Sequence, residues 1–297
     1  IVKVITLFDG NDICGISEEL KKYVKENKLF NGKRGEIFSN LGPNSENVIL
    51  LGLGKEDEIS LENIRRAFLS LGKHLKANNV KSCNIEIKKF DGICYKLTVQ
   101  AMIEGIINVT YAFDNFLKEK KDKFECEVFF DVLEDKKEIV ENGIKEIEVI
   151  MEAVFMCRDL VNRPANDIYP ETLAKFAKEE LEKVGVEVEV LEKKQIESLK
   201  MDAFLSVAQG SDLPPKFIIM KHLPNKDEKP IVLVGKGLTY DSGGYAIKPA
   251  TGMVTMKTDM GGSASVISTM YAVGKMKVQR NVIALVASCE NMINGHA

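Results

Sequence analysis

Residues Val234–Pro249 read VGKGLTYDSGGYAIKP and hold two lysines, one aspartate and four glycines within sixteen residues. The stretch continues the apolar run IVLVG, which is typical of a buried strand in an α/β protein. We therefore predict a strand followed by a glycine-rich turn that carries Lys236, Asp241 and Lys248. Such folds bind ligands where strands end at the carboxyl edge of the sheet, so this turn is the first candidate for a functional site.

Two other interpretations of this stretch remain open on these residues alone. A strand followed by glycines and a lysine also begins a phosphate-binding loop, but the chain contains neither G-x-x-x-x-G-K-[ST] nor G-x-G-x-x-G, and Asp241 would repel a phosphate. A tight turn with solvated lysines is the structural alternative. The next segment, ATGMVTMKTDMGGSASVIS, favours a site, because a second acid, Asp259, precedes Gly261 and Gly262 at the start of a predicted helix.

The rest of the chain predicts two α/β domains. Its 297 residues suffice for two ordinary domains. In the first part, strand-like runs alternate with amphipathic helical segments, which predicts a mixed, mostly parallel sheet with helices on its faces. We predict an N-terminal α/β domain over residues 1–135, a long connecting helix over 136–160, and a second α/β domain over 161–297.

Particular segments carry this prediction. The strand-like runs are VKVITLF, NVILLGLG, SCNIEIKKF and FECEVFFDV in the first domain, and VEVEVLE, KFIIMKH, IVLVG and NVIALVASCEN in the second. One helix is predicted from about Leu97 to Phe116, before the charged loop LKEKKDK. Another is predicted over the small-residue segment GGSASVISTMYAVGKM.

The bulk composition excludes several classes of protein. The formal net charge is −3, so nucleic-acid binding is not expected, and no apolar run approaches the roughly 20 residues that cross a bilayer. The six cysteines form no C-x-x-C pair, which favours a reducing cytoplasm. The three histidines include no H-E-x-x-H motif, so a metal site would rely mainly on oxygen ligands.

The glycine-rich stretch and the MKTDMGG segment together resemble the signature of the leucine aminopeptidase family, the dinuclear-metal cytosolic aminopeptidases. The family wording is close to V-G-K-G-x-T-F-D-S-G-G-x-S-I-K-P followed by M-x-x-D-M-G-G, and the spacing between the acids matches without gaps. The segments RDLVNRPAND, SDLPPKFIIM and SCENM are similar to further family segments. The resemblance extends from about Cys157 onward and is weaker in the first domain.

The resemblance implies a site for two divalent ions, zinc or manganese, with magnesium and cobalt as further options. It assigns Lys236, Asp241 and Asp259 as metal ligands, with the Asp241 carboxylate bridging both ions. Lys236 can ligate only as the neutral amine, which requires the neighbouring cations and desolvation to remove its proton.

The same resemblance implies an aminopeptidase that releases N-terminal, preferably leucine-like residues from peptides through metal-activated water. Lys248 is the implied catalytic residue, which stays protonated and stabilises the oxyanion of the tetrahedral intermediate. Met256, Lys248 and Asp259 are implied to bind the substrate, with Met256 lining the pocket for its first side chain. A cytoplasmic homo-hexamer and a bound bicarbonate in the full-length protein complete the implied features.

The chain departs from the family pattern at two single positions, Tyr240 for the family's Phe and Ala246 for its Ser, and in one whole motif. The family carries N-T-D-A-E-G-R after S-C-E-N-M, its Asp and Glu complete the metal shell, and this motif does not occur in the chain. The missing motif implies that residues 161–297 are an incomplete metallopeptidase catalytic domain. We expect the given chain to be a fragment or a truncated product, inactive or nearly so and prone to aggregation. The alternative hypothesis is a non-catalytic assembly or binding module derived from the same family.

Overall fold

The chain forms two compact units, Ile1–Met151 and Glu152–Ala297. The structure is a computed structural model that describes residues 1–120, 123–225 and 227–295. Part of the predicted loop LKEKKDK, together with His296, lies outside the described residues. The division between the units falls within a long helix, Lys137–Asn162. The predicted domain limits and the connecting role of this helix stay predictions.

The first unit is a sheet of five described strands flanked by helices. The strands are β1 (Val2–Phe8), β2 (Ile37–Asn40), β3 (Val48–Gly54), β4 (Ser82–Glu86) and β5 (Glu127–Asp131). The helices are α1 (Glu18–Glu26), α2 (Leu61–Ala77), α3 (Tyr95–Ile107) and the first part of α4 (Lys137–Asn162). The order is β2-β3-β1-β4-β5, with β2 antiparallel to β3 and the other neighbours parallel. The predicted mixed sheet is confirmed.

Two elements of this unit differ from the prediction. The strand Ile37–Asn40 was not predicted, because its four half-buried residues are too few to show a period of two. Helix α3 ends at Ile107 rather than near Phe116. Its end is held by Asn108, whose Nδ2 donates to the Glu104 carbonyl at 2.9 Å. Asparagine side chains offer the backbone such local bonds in place of a continued helix.

Hydrophobic clusters cover both faces of the first sheet. On one face, Phe68 of α2 packs in a cluster with Ile49 and Leu51 of β3. On the other face, Leu50 packs in a cluster with Val24 of α1. Alternate residues of β3 therefore enter different clusters, which explains the continuous apolar run of this strand. Each such fully buried side chain contributes about 1.5–3 kcal/mol of hydrophobic free energy.

The second unit is a sheet of four described strands. These are β6 (Glu187–Leu191), β7 (Lys216–His222), β8 (Ile231–Asp241) and β9 (Val282–Asn291). The helices are the last part of α4, α5 (Pro170–Glu182), α6 (Lys193–Ser198), α7 (Asp202–Ala208), α8 (Ala250–Met253) and α9 (Gly261–Lys275). The order is β6-β7-β9-β8. The β8–β9 pair is parallel and the other two pairs are antiparallel.

The strand β8 corrects the predicted turn. We expected the strand to end with IVLVG, but it continues through Lys236 to Asp241, and the turn begins at Ser242. The reason is tertiary: β8 pairs with β9 along its length, up to the partners Asp241 and Asn291. These backbone bonds outweigh the low strand preference of the glycines. The short helices α6 and α7 were also not predicted.

Helix α9 packs on one face of this sheet. Ile267 and Met270 of α9 are fully buried in a cluster with Ala284 and Val286 of β9. The small residues Ser263 and Ala264 of α9 are also fully buried, so the helix packs closely on the sheet. In the parts of the chain that the structure describes, no helix is both long and apolar enough to span a bilayer.

The start of α9 touches the backbone of β8 through glycines. A Cβ at Gly235 would lie 2.7 Å from the Gly262 carbonyl oxygen, and a Cβ at Gly262 would lie 2.8 Å from the Lys236 backbone nitrogen. A Cβ at Gly261 would meet Val161 at an ordinary 3.9 Å. Only glycine at 235 and 262 thus permits this approach, which brings the segment before α9 up to the strand.

We predict that Gly262→Ala destabilises the second unit by roughly 1–3 kcal/mol, because the new methyl group overlaps the backbone of Lys236. Gly261→Ala is the matched control on the same helical turn, where the change from glycine favours a helix by up to about 1 kcal/mol. Urea unfolding followed by circular dichroism measures both variants. Equal free energies of unfolding for the two variants would contradict the close contact.

Candidate active site

A β-bulge in β8 places Lys236 and Asp241 on one face of the sheet. The two residues are an odd number of positions apart, and in a regular strand this puts side chains on opposite faces. The register with β9 shifts within Leu238–Tyr240, so Lys236 pairs with Ala287 and Asp241 pairs with Asn291. These two partners are an even number of positions apart and share a face. The bulge therefore aims both side chains the same way, as bulges beside active sites do.

Two ion pairs lie at this end of the strand. Lys236 Nζ lies 2.8 Å from Asp259 Oδ2, and Lys248 Nζ lies 2.8 Å from Asp241 Oδ2. The hydrogen bond to Asp241 raises the pKa of Lys248, and the charges of Asp241 and Asp259 add to this effect. The Lys236–Asp259 pair therefore lies within electrostatic range of Lys248, and the structure joins the four charged residues that the sequence singled out into two ion pairs.

Asp241 is held from several sides. Its Oδ1 accepts hydrogen bonds from the Gly243 amide at 2.9 Å and from Asn291 Nδ2 at 2.7 Å. Burial raises the pKa of this carboxyl, but the hydrogen bonds from Lys248, Gly243 and Asn291 outweigh burial and bring the pKa below its usual value. Asp241 is thus a buried carboxylate that stays ionised at neutral pH.

The turn after β8 returns Lys248 to the strand end. Gly243 has φ +89° and Gly244 has φ +59°, in the left-handed region that glycine adopts without strain. The Lys248 amide then donates to the Ser242 carbonyl at 3.0 Å and closes the turn. As a result, the Lys248 ammonium reaches Asp241 from a position seven residues further along the chain.

Asp259 presents a buried oxygen to the cluster. Its Oδ2 is buried and forms an ion pair with the Lys236 ammonium, 2.8 Å away. A buried carboxylate oxygen of this kind needs a cation or a donor to offset its desolvation. Two carboxylates and an amine are also a donor set that fits a divalent metal ion such as zinc or manganese.

Lys236 is the predicted third member of that donor set. Within residues 1–120, 123–225 and 227–295, no three or more His, Cys, Asp and Glu side chains form a group suited to a metal. The family resemblance implies that the third protein ligand beside Asp241 and Asp259 is Lys236. In the structure Lys236 is an ion-pair partner of Asp259, so its ligation as a neutral amine stays a prediction.

An open cleft of about 610 Å³ lies beside the strand end. It is lined by Ala165, Tyr240, Ala250, Met253, Val254 and Lys257. Tyr240 Oη lies 3.7 Å from Met253 Sδ across this cleft. Met256 is half-buried and begins a short 3₁₀ turn, Met256–Thr258. Its role in lining a substrate pocket stays a prediction.

The residue that sequence reasoning missed is Asn291. The segment SCENM is similar to a family segment, but the resemblance assigns no role to its asparagine. A signal was available, because Asn291 ends the strand NVIALVASCEN and strand ends in α/β folds carry functional side chains. Cys289, two residues earlier, is buried, and burial with the nearby charges of Glu290 and Asp241 raises its pKa to about 12. That thiol is therefore unreactive.

Two described histidines have partners or surroundings unrelated to this cluster. His222 Nε2 lies 2.8 Å from the Val278 carbonyl oxygen. Burial lowers the pKa of His74, which lies in α2 of the first unit. His296 lies outside the described residues.

Comparison with known proteins identifies the family. Residues 12–120 match the N-terminal domain of the cytosol aminopeptidase family, and residues 155–297 match its catalytic domain. A probable cytosol aminopeptidase of Treponema denticola is 50% identical over 275 residues, which cover 92% of this chain and 58% of the relative. One of Clostridium tetani is 41% identical over 298 residues, covering 100% and 62%. The chain thus spans about three fifths of the length of these curated relatives.

A solved structure shares the fold. The bottromycin maturation enzyme BotP superposes with a TM-score of 0.82 at 23% identity, over 100% of this chain and 61% of that chain. The same enzyme in complex with Mn gives a TM-score of 0.82 at 22% identity. At these identities the likeness shows the α/β fold alone. Because the N-terminal and catalytic domains of one family both match along its sequence, the chain belongs to the cytosol aminopeptidase family.

Proposed function

We propose that the protein is a metal-dependent aminopeptidase that releases N-terminal, preferably leucine-like residues from peptides. The observation that carries this proposal is the pair of adjacent ion pairs, Lys236–Asp259 and Lys248–Asp241, at the end of β8. Family membership supports peptide hydrolysis as the reaction. The whole protein's activity is proposed here from about three fifths of the length of its relatives.

Lys236, Asp241 and Asp259 would hold the divalent ions. The buried Asp259 oxygen, which already pairs with a cation in the structure, supports this assignment, as does the ionised state of Asp241. When bound, such ions polarise a carbonyl group and generate a nucleophile from water at neutral pH. Zinc or manganese suits the mixed oxygen and amine donors, with magnesium and cobalt as alternatives. A bicarbonate ion in the full-length protein is also part of the proposal.

Lys248 would act on the scissile carbonyl of the peptide. Its ammonium is fixed at the strand end by Asp241 and by the closed turn that begins at Ser242. A preorganised cation at this point would stabilise the negative charge that develops on the carbonyl oxygen. Asp259 would help to hold the free α-amine of the substrate, and Met256 would contact its first side chain.

The proposal extends to the setting of the enzyme. Peptides are the proposed substrates, and the full-length protein is proposed to be a cytoplasmic homo-hexamer. Nucleic acid is not a proposed partner, because the formal net charge is −3. The alternative, a non-catalytic module of the same family, differs from the enzyme in two testable respects. It needs neither a metal ion at Asp259 nor a catalytic Lys248.

We expect the chain to bind Mn²⁺, and we expect Asp259→Asn to weaken this binding at least tenfold, because the change removes a negative charge from the donor set while keeping the side-chain shape. Glu228→Gln is the matched control, since Glu228 pairs with Arg280 before β9. Titration calorimetry measures the Kd of the three proteins. If Asp259→Asn binds Mn²⁺ as tightly as the unaltered chain, Asp259 is not a ligand.

We expect the 297-residue chain to hydrolyse leucyl-p-nitroanilide slowly or not at all with Mn²⁺ or Zn²⁺, because three protein donors hold two dications weakly.

In a chain of the relatives' length, Lys248→Ala should lower kcat by a factor of about 10²–10³ without loss of Mn²⁺ binding.

Lys257→Ala is the control for that substitution, because the Lys257 ammonium donates to the Asn162 carbonyl oxygen at 2.6 Å and has no proposed role in the reaction. Rapid turnover by the 297-residue chain would overturn its predicted inactivity. An unchanged kcat in Lys248→Ala would remove the proposed catalytic role of that lysine.

A further inference from the structure

The main chain of Asn291 anchors the turn that follows β8. Its carbonyl oxygen accepts two hydrogen bonds from Ser242, one from the amide at 2.9 Å and one from Oγ at 2.7 Å. The Ser242 carbonyl in turn accepts a hydrogen bond from the Lys248 amide. The Asn291 carbonyl therefore holds the residue to which Lys248 is bound when the turn closes. These bonds do not depend on the side chain at position 291.

The side chain of Asn291 acts on Asp241 itself. Its Nδ2 donates to Asp241 Oδ1 at 2.7 Å, and the Gly243 amide donates to the same oxygen at 2.9 Å. A carboxylate oxygen offers about two lone-pair sites, so Oδ1 is fully used by these two donors. Among the residues that the structure describes, Oδ2 has one hydrogen-bond partner, the Lys248 ammonium at 2.8 Å, and is the oxygen with a free site.

The fit between the asparagine and the turn is close. A Cβ at Gly244 would lie 2.7 Å from Asn291 Oδ1, so the turn passes directly against the amide. The amide group therefore has its nitrogen directed at the carboxylate and its oxygen directed at the turn. Asn291 also stands opposite Asp241 in the register of β8 and β9, which keeps the two side chains on the same face.

We propose that Asn291 is a positioning residue that occupies Asp241 Oδ1 and leaves Oδ2 as the oxygen that meets a cation. The orientation of Asp241 by Asn291 is inferred from the hydrogen bonds alone. Its consequence for metal binding rests on the proposed metal-dependent function. It implies that Asp241 contacts ions through one oxygen rather than through both. A ligand carboxylate fixed in this way loses less rotational freedom on binding a metal, and loss of such a partner weakens metal affinity about 10- to 100-fold.

The test uses two substitutions that remove the donor in different ways. Asn291→Ala removes the amide, and Asn291→Leu replaces it with an apolar group of similar volume. Asn281→Ala is the matched control, because Asn281 is a buried asparagine just before β9 whose Nδ2 donates to the main-chain oxygens of Asn225 and Glu228. That substitution destabilises the same strand at its other end without touching Asp241.

Two measurements are made on each protein. The first is the Kd for Mn²⁺, which should rise about 10- to 100-fold in both Asn291 variants and stay within about twofold in Asn281→Ala. The second, without metal, is amide hydrogen exchange at Gly243 relative to Ser242. The ratio of the Gly243 rate to the Ser242 rate should rise about tenfold in the Asn291 variants. Without the Asn291 amide, Asp241 Oδ1 can rotate away from the Gly243 amide, whereas the Ser242 amide keeps its bond to the main chain of residue 291.

Each outcome decides a separate point. Mn²⁺ binding by the unaltered chain with an unchanged Kd in Asn291→Leu overturns the positioning role. An unchanged ratio of Gly243 to Ser242 exchange overturns it as well, whether or not metal binds. If the unaltered chain binds no Mn²⁺, the proposed metal site fails, and the exchange ratio alone then decides whether Asn291 orients Asp241.

Discussion

The site depends on the one extra residue that the bulge inserts into β8. Thr239 is that residue, since the register passes from Leu238 to Tyr240 against consecutive partners on β9. Its hydroxyl is buried and has no hydrogen-bond partner in the described part of the chain, which is a local cost of the bulge. In return, Lys236 and Asp241 face the same way. Without the shift the two side chains would lie on opposite sides of the sheet, and the cluster of charges would not exist.

Much of this arrangement could be predicted from sequence because it is local. The acids and lysines of the segment VGKGLTYDSGGYAIKP lie close along the chain, and glycines beside them indicate close backbone approach. Asp259 could be added because it precedes a helix that follows the strand. The apolar runs gave β1, β3, β7 and β9 with good limits, since strands buried in a sheet carry their signal in a few consecutive residues.

The rest could not be predicted because it depends on distant partners. The extension of β8 to Asp241 follows from its ladder with β9, whereas the glycines in that segment favour a turn when considered alone. The bulge leaves no trace in composition, because it is a mismatch between two strands rather than a property of one. Asn291 became visible as a partner of Asp241 only when the register placed the two residues side by side.

The separation of Asp241 and Asn291, 50 residues along the chain, has a consequence for biosynthesis. A chain that leaves the ribosome from its N-terminus presents β8 before β9. Until β9 emerges, the valines of β8 lack a neighbouring strand, and the loop between the two strands carries an entropic closure cost. The charges at the end of β8 therefore come together only after β9 has emerged and paired with β8.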